Sequence, residues 1–240
     1  MKYLILLFSV FSFSQQTKLV DFKSVLGTIE INPIEKSVSG EITYDFDVLS
    51  PIDTIKIDAQ NMIFSNLKIN NIIVAYTNSG KKLALFNGFK IGKNTLTFNY
   101  LAKPKQTMYF VGADENLQIW TQGQGKYTSN WFPSFDDTNE KVIFNLDVNF
   151  DKNFQVISNG VLENKEVNSN TINWHYRMKK PMSSYLLMLA IGKFEVQNEK
   201  SNSGIPLQFY IENEDISKLE PTYRYSKTIF DFFEKEIGVK

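Results

Sequence analysis

Between Lys141 and Phe150 an apolar side chain recurs at every second position. Val142, Phe144, Leu146, Val148 and Phe150 share one side, and Asn145, Asp147 and Asn149 stand opposite. Successive side chains of an extended chain leave on opposite faces, so this period marks a strand with one face on a core and the other in water. It recurs through much of the chain. Ile42, Tyr44, Phe46 and Val48 follow it, as do Leu96, Phe98 and Tyr100, and Ile172, Trp174, Tyr176 and Met178. Turn formers in "NSGKK" and "NGFKIGKN" separate the early strands. A chain built this way must bury the apolar faces of sheets against one another. The stretch Tyr185 to Ile191 is continuously apolar, which predicts a strand covered on both faces. The expected fold is mainly β, a large antiparallel sandwich or open saddle-like sheet.

The texture changes after Phe194. "VQNEKSNSG" is polar and reads as a linker or exposed loop, and Ile205, Leu207, Phe209 and Ile211 predict one more strand. One convincing helix follows. Pro221 suits its first turn, Tyr225, Ile229, Phe232, Phe233 and Ile237 fall at helical spacing, and Gly238 suits the C-cap. With little helical sequence to pack against, it reads as the start of a second, α-rich domain. The expected boundaries are 1–14, 15–198 and 199–240.

Residues 1–14 read as a secretory signal peptide. Lys2 supplies a positive start, and Tyr3 to Phe13 is an apolar run too short to span a bilayer. Ser12 and Ser14 place small residues ahead of a cleavage between Ser14 and Gln15. A periplasmic or secreted protein is the expectation, with no later membrane span. The chain has no cysteine, which removes disulfides, thiolate chemistry and a lipidated cysteine. Its 26 basic and 26 acidic residues balance, whereas a nucleic-acid surface needs a basic excess.

Few residues advertise chemistry. The lone histidine, His175, falls on the polar side of its strand, so a solvated or hydrogen-bonded histidine is the plainer reading. Zinc held by this chain would need carboxylates for its other ligands. No nucleophile elbow and no phosphate-binding glycine loop is present. The neighbours Asp136 and Asp137 point to opposite faces if extended and read as turn or cap residues. Trp120, Trp131 and Trp174 read as core or rim packing rather than a sugar platform. In "TQGQG", Gln122 and Gln124 lie two residues apart, on one face if the chain is a strand, and Gly123 and Gly125 let another group approach.

At this point the sequence resembles the M1 family of zinc aminopeptidases. The resemblance is carried, in order, by "IDAQNM" (57–62), "TQGQ" (121–124), "WFPSFDD" (131–137), "KVIFNLDV" with "VISNG" (156–160), "PMSSYLLMLAIGKFE" (181–195) and "FFEKEIG" in the last helix. It implies an N-terminal β-domain followed by the first strand and helix of a truncated, thermolysin-like catalytic domain. It also implies peptide substrates with a free N-terminus and a pocket in which Gln124, flanked by Gln122, accepts hydrogen bonds from the substrate ammonium. Many members carry Glu where Gln124 stands, and a neutral acceptor holds an ammonium less strongly than a carboxylate. The family's zinc motif, His-Glu-x-x-His, and its Gly-x-Met-Glu-Asn strand do not occur in the 240 residues. The implied parent therefore carries zinc, while this chain is expected to supply neither metal ligand nor catalytic residue and to be inactive alone. The alternative is a stand-alone β-sandwich binding module.

Overall fold

The computed structural model describes residues 16–238; the expected signal peptide at 1–14 lies outside them. In chain order the strands are β1 (Val20–Asn32), β2 (Ser37–Val48), β3 (Ile55–Asp58), β4 (Ile63–Ile69), β5 (Ile72–Ile73), β6 (Tyr76–Asn78), β7 (Lys82–Leu85), β8 (Gly92–Ala102) and β9 (Met108–Val111). Then come β10 (Gln118–Thr121), β11 (Lys141–Asp151), β12 (Gln155–Ser158), β13 (Val161–Val167), β14 (Thr171–Arg177), β15 (Met182–Ser183), β16 (Leu189–Gly192), β17 (Glu195–Lys200) and β18 (Pro206–Ile211). Two helices close the described chain, α1 (Ile216–Tyr223) and α2 (Ser226–Ile237).

The largest sheet runs β13-β14-β11-β1-β2-β8-β4-β5, with β15 attached to β11. Smaller sheets run β12-β16-β10-β9 and β3-β7-β6. The fold is mainly β, as the period-two pattern predicts, and among the described residues no closed barrel forms. One central pairing departs from the antiparallel expectation: β1 and β11 run parallel, Ser24 opposite Ile143 through Glu30 opposite Asn149. A parallel neighbour needs a long crossover rather than a hairpin, and here residues 33–140 lie between the two strands.

The apolar sets bury as their period requires. Ile42, Tyr44, Phe46 and Val48 are buried, as are Leu96, Phe98 and Tyr100, and Val142 through Phe150 at alternate positions. Phe22 stacks on Phe46 at 5.1 Å and meets Phe135 at 4.4 Å, which ties the large sheet to the segment before β11.

Three local expectations are corrected. Tyr185–Ile191 is not a strand covered on both faces. Ser184–Leu186 form a 3-10 turn, Leu186 is exposed, and β16 begins only at Leu189. A short turn with one side on the core produces an apolar run as readily as a buried strand does. The polar residues Glu195–Lys200 are not a linker but β17, paired with β18 from Glu195 opposite Ile211 to Lys200 opposite Pro206. A two-stranded ribbon with wet faces carries polar side chains, which erase the hydrophobic signal without touching the backbone ladder. This ribbon straddles position 198.

The last helix also proves to be two. Pro221 lies at the sixth position of α1, and α2 starts afresh at Ser226. Gly238 caps α2 in the left-handed region at φ 72°, as read from sequence, and its N–H bonds to the Glu234 carbonyl. Among the described residues no helix is long and apolar enough to cross a membrane.

Candidate functional site

The segment from Thr121 to Asp137 is a loop bolted down at several points. Thr121 ends β10 and exchanges hydrogen bonds with Leu189 of β16. The Gln122 N–H donates to the Thr107 carbonyl at 2.7 Å, one step beyond the Thr121–Met108 pair of the β9–β10 ladder. The chain then leaves the sheet: Gln124–Tyr127 form a turn and Thr128–Asn130 a 3-10 turn. Gly125 and Lys126 both take positive φ, 90° and 73°.

Gly123 explains why the turn sits so close to the protein. A Cβ there would lie 2.6 Å from the Tyr185 carbonyl oxygen and nearer still to the Thr128 hydroxyl. The Thr128 hydroxyl in turn donates to the Ser184 carbonyl at 2.9 Å. The expected close approach of another group at this glycine is therefore made by the chain's own Tyr185–Ser184 backbone.

The second half of the segment is core. Trp131 and Phe132 are fully buried, and Phe132 meets Tyr100 and Phe144 edge-on. The Tyr44 hydroxyl donates to the Pro133 carbonyl at 2.6 Å. Asp58 of β3 exchanges backbone hydrogen bonds with Ser134, and its carboxylate accepts the Asp136 N–H at 2.8 Å and the Lys82 ammonium at 2.5 Å. Asp58 was not singled out from sequence. Its role depends on β3 reaching the loop, and no local signal encodes that meeting.

Of the two aspartates only Asp137 acts as the turn residue expected from sequence; the Asp136 carboxylate takes a side-chain partner across the loop instead. Asp137 accepts the Asn139 N–H at 2.9 Å. Asp136 accepts from the Ser129 hydroxyl at 3.3 Å. Burial, and then the nearby Asp58 carboxylate, push the Asp136 carboxyl up to about 6. Glu140, at the end of the same segment, is buried and accepts the Phe22 N–H at 3.1 Å, and burial pushes it up to about 7.

What the loop leaves in solvent is its tip. Gln122, Gln124, Gly125, Lys126 and Tyr127 are exposed. The two glutamines do not lie on one strand as the spacing suggested, because the strand ends at Thr121 and Gln124 is in the turn. The glycine that must tuck against Ser184–Tyr185 takes the chain out of its ladder. Both side chains nonetheless belong to one exposed tip on a fixed base.

The remaining candidates are dispersed. Trp131 and Trp174 are 0% and 4% exposed, while Trp120 is 38% exposed and stacks on Tyr109 of β9 at 4.4 Å. His175 lies on the β11–β14 part of the large sheet, its side chain only 15% exposed. Its Nδ1 lies 2.8 Å from an Asp147 oxygen that also accepts from Arg177 at 2.6 Å. Among the described residues no three of His, Cys, Asp and Glu are grouped to hold a metal ion. With its one imidazole engaged by Asp147, this donor set does not fit a zinc site.

Comparison with known proteins places these features in a family. The profile of the peptidase M1 N-terminal domain matches residues 27–186, which includes the whole Thr121–Asp137 loop. The chain is 31% identical to a glutamyl aminopeptidase of Bos taurus over 109 residues, 45% of this chain and 11% of that protein. It is 35% identical to the glutamyl aminopeptidase of Rattus norvegicus over 104 residues, 43% of this chain and 11% of that protein. A probable aminopeptidase 1 of Sulfurisphaera tokodaii is 26% identical over 152 residues, 62% of this chain and 19% of that protein. The matched part of the chain thus spans between about a tenth and a fifth of these relatives' length.

Proposed function

The chain belongs to the peptidase M1 N-terminal domain family, and from that premise we propose that it is the N-terminal part of a secreted or periplasmic zinc aminopeptidase that removes N-terminal residues from peptides. The observation that carries this reading is the family match over 27–186, which encloses the bolted loop and its exposed glutamines. In this reading residues 15–198 shape one rim of the substrate cleft, and residues 199–240 open the catalytic domain. The metal ligands and the general base come from elsewhere in the parent protein.

The part assigned to this chain is recognition. A substrate's free ammonium needs acceptors, and the side-chain carbonyls of Gln124 and Gln122 supply them. A hydrogen bond to a charged partner is worth about 1.5–3 kcal/mol. Such a contact is useful only if its acceptor stays in place. The fixation of Gly123, Thr128 and Trp131 beneath the tip limits what the tip loses on binding. Residues 1–14, by their short apolar run after Lys2, would direct export.

The test uses the whole product of the reading frame that contains this chain. It should release the chromophore from aminoacyl-4-nitroanilides, lose that activity to a chelator and regain it with zinc. Blocking the substrate amine by acetylation should abolish turnover. A whole product that melts cooperatively yet hydrolyses nothing, with or without zinc, would instead make this chain a stand-alone interaction module.

A further inference from the structure

The sheet β12-β16-β10-β9 turns Ile119, Leu189, Ile191 and Val156 into the core. Its other face is apolar in part, with Gln118 and Gln155 at one end of it. Trp120 lies opposite Tyr109 on one side and Ala190 on the other, and Ala190 lies opposite Ile157. Trp120 and Tyr109 are 38% and 37% exposed, their rings 4.4 Å apart and inclined by 33°. Both are large apolar surfaces held in place by a ladder and left facing water.

Two observations say what meets them. The first is continuity. Because the Gln122 N–H extends the β9–β10 ladder to Thr107, Gln122 keeps the alternation and leaves the strand on the Trp120 side. Two residues along a strand span about 7 Å. The ring pair is therefore within reach of the side chain of a molecule whose ammonium rests on Gln122.

The second observation is charge. At the Gln118 end of the same face lies a groove of about 670 Å³ lined by Glu115, Glu195, Glu212 and Glu214 against Lys193, which is paired with Glu115. Its excess of carboxylates repels an anionic side chain placed beside it.

We propose that Trp120 and Tyr109 form the subsite for the side chain of the substrate's first residue, selecting a large apolar or aromatic group and disfavouring an acidic one. This rests on the reading of Gln122 and Gln124 as ammonium acceptors. The ring pair contributes through area removed from water and through offset or edge-on stacking, neither of which a carboxylate offers. Trp120 is a specificity-determining residue in this account, and Tyr109 positions it.

The experiment reads tryptophan emission of the full 240-residue chain. Trp131 and Trp174 are buried, so a ligand-dependent change reports Trp120. The probes are phenylalaninamide, alaninamide, glutamic acid α-amide and N-acetyl-phenylalaninamide. Phenylalaninamide should shift the emission and bind about tenfold more tightly than alaninamide, with the glutamyl amide weakest. Tyr109→Ala, which keeps the reporter, should remove that advantage. Trp120→Ala should do the same by calorimetry, with an unchanged melting temperature.

Equal binding of phenylalaninamide and alaninamide, both lost in Gln124→Ala, overturns the aromatic subsite and leaves the ammonium reading standing. N-acetyl-phenylalaninamide binding as tightly as the free amine keeps the ring subsite and sinks the ammonium reading. Emission unmoved by all four probes overturns the proposal. A shift that tracks protein concentration alone also overturns it, by showing that a second copy covers the face.

Discussion

Gly123 occupies a place where no side chain fits, and this makes it the most informative single position in the loop. An added Cβ meets the Tyr185 carbonyl at 2.6 Å, so the chain must shift. Gly123→Ala should lower stability by about 1–3 kcal/mol, read from the urea midpoint at constant slope. Gln124 should behave oppositely. Its side chain is exposed and the fold does not need it. In the proposed parent aminopeptidase Gln124→Ala should cut kcat/KM about tenfold or more, from a lost hydrogen bond to a charge, and leave the melting temperature within error. An unchanged kcat/KM would end the proposed role. Sequence alone raised both positions, since glutamines and glycines in alternation are conspicuous. It could not show that the glycine is pinned by Ser184–Tyr185, which lies some sixty positions away.

Elements divide by what their apolar sides face. β11 puts Phe144 and Val148 into the core, and Phe144→Ala should cost about 3–5 kcal/mol. α2 also has an apolar stripe, but Phe232 and Phe233 are 56% and 53% exposed. Phe232→Ser in this chain should therefore change stability by less than about 1 kcal/mol. A denaturation experiment that finds the two losses similar would contradict the packing described. The same contrast explains the element-level misreadings. Period and composition identify β11 because its two faces see different media. They miss β17 because both of its faces are wet, and they merge α1 with α2 because the break near Arg224 carries no glycine.

At the scale of the whole molecule, a buried carboxyl, Glu140, and a half-buried one, Asp136, make stability depend on pH. Glu140 is raised from its ordinary 4.5 to about 7, and Asp136 from 3.8 to about 6, both chiefly by burial. The sign follows from proton counting. Between the unfolded and folded values the native state holds more protons, so these groups favour folding most at low pH. Their contribution is lost as pH rises through 6 and 7. Glu140→Gln keeps an acceptor for the Phe22 N–H and removes the titration. Its stability relative to the parent chain should therefore improve as pH rises from 4.5 to 7 and stay level above. A difference that is flat with pH would show that Glu140 is not held in this way.

The period-two pattern by itself determined that this chain is a mainly β protein and which side of β2, β8, β11 and β14 is buried. The reason is that face polarity is written residue by residue along an extended chain. The order of motifs from Ile57 to Glu195 carried the family, because each motif is local. The parallel pairing of β1 with β11, the Asp58 clamp on the Thr121–Asp137 loop and the stacking of Tyr109 on Trp120 were decided only by the tertiary structure. Each joins segments whose meeting depends on sheet order and register, and these are settled by the packing of the whole core.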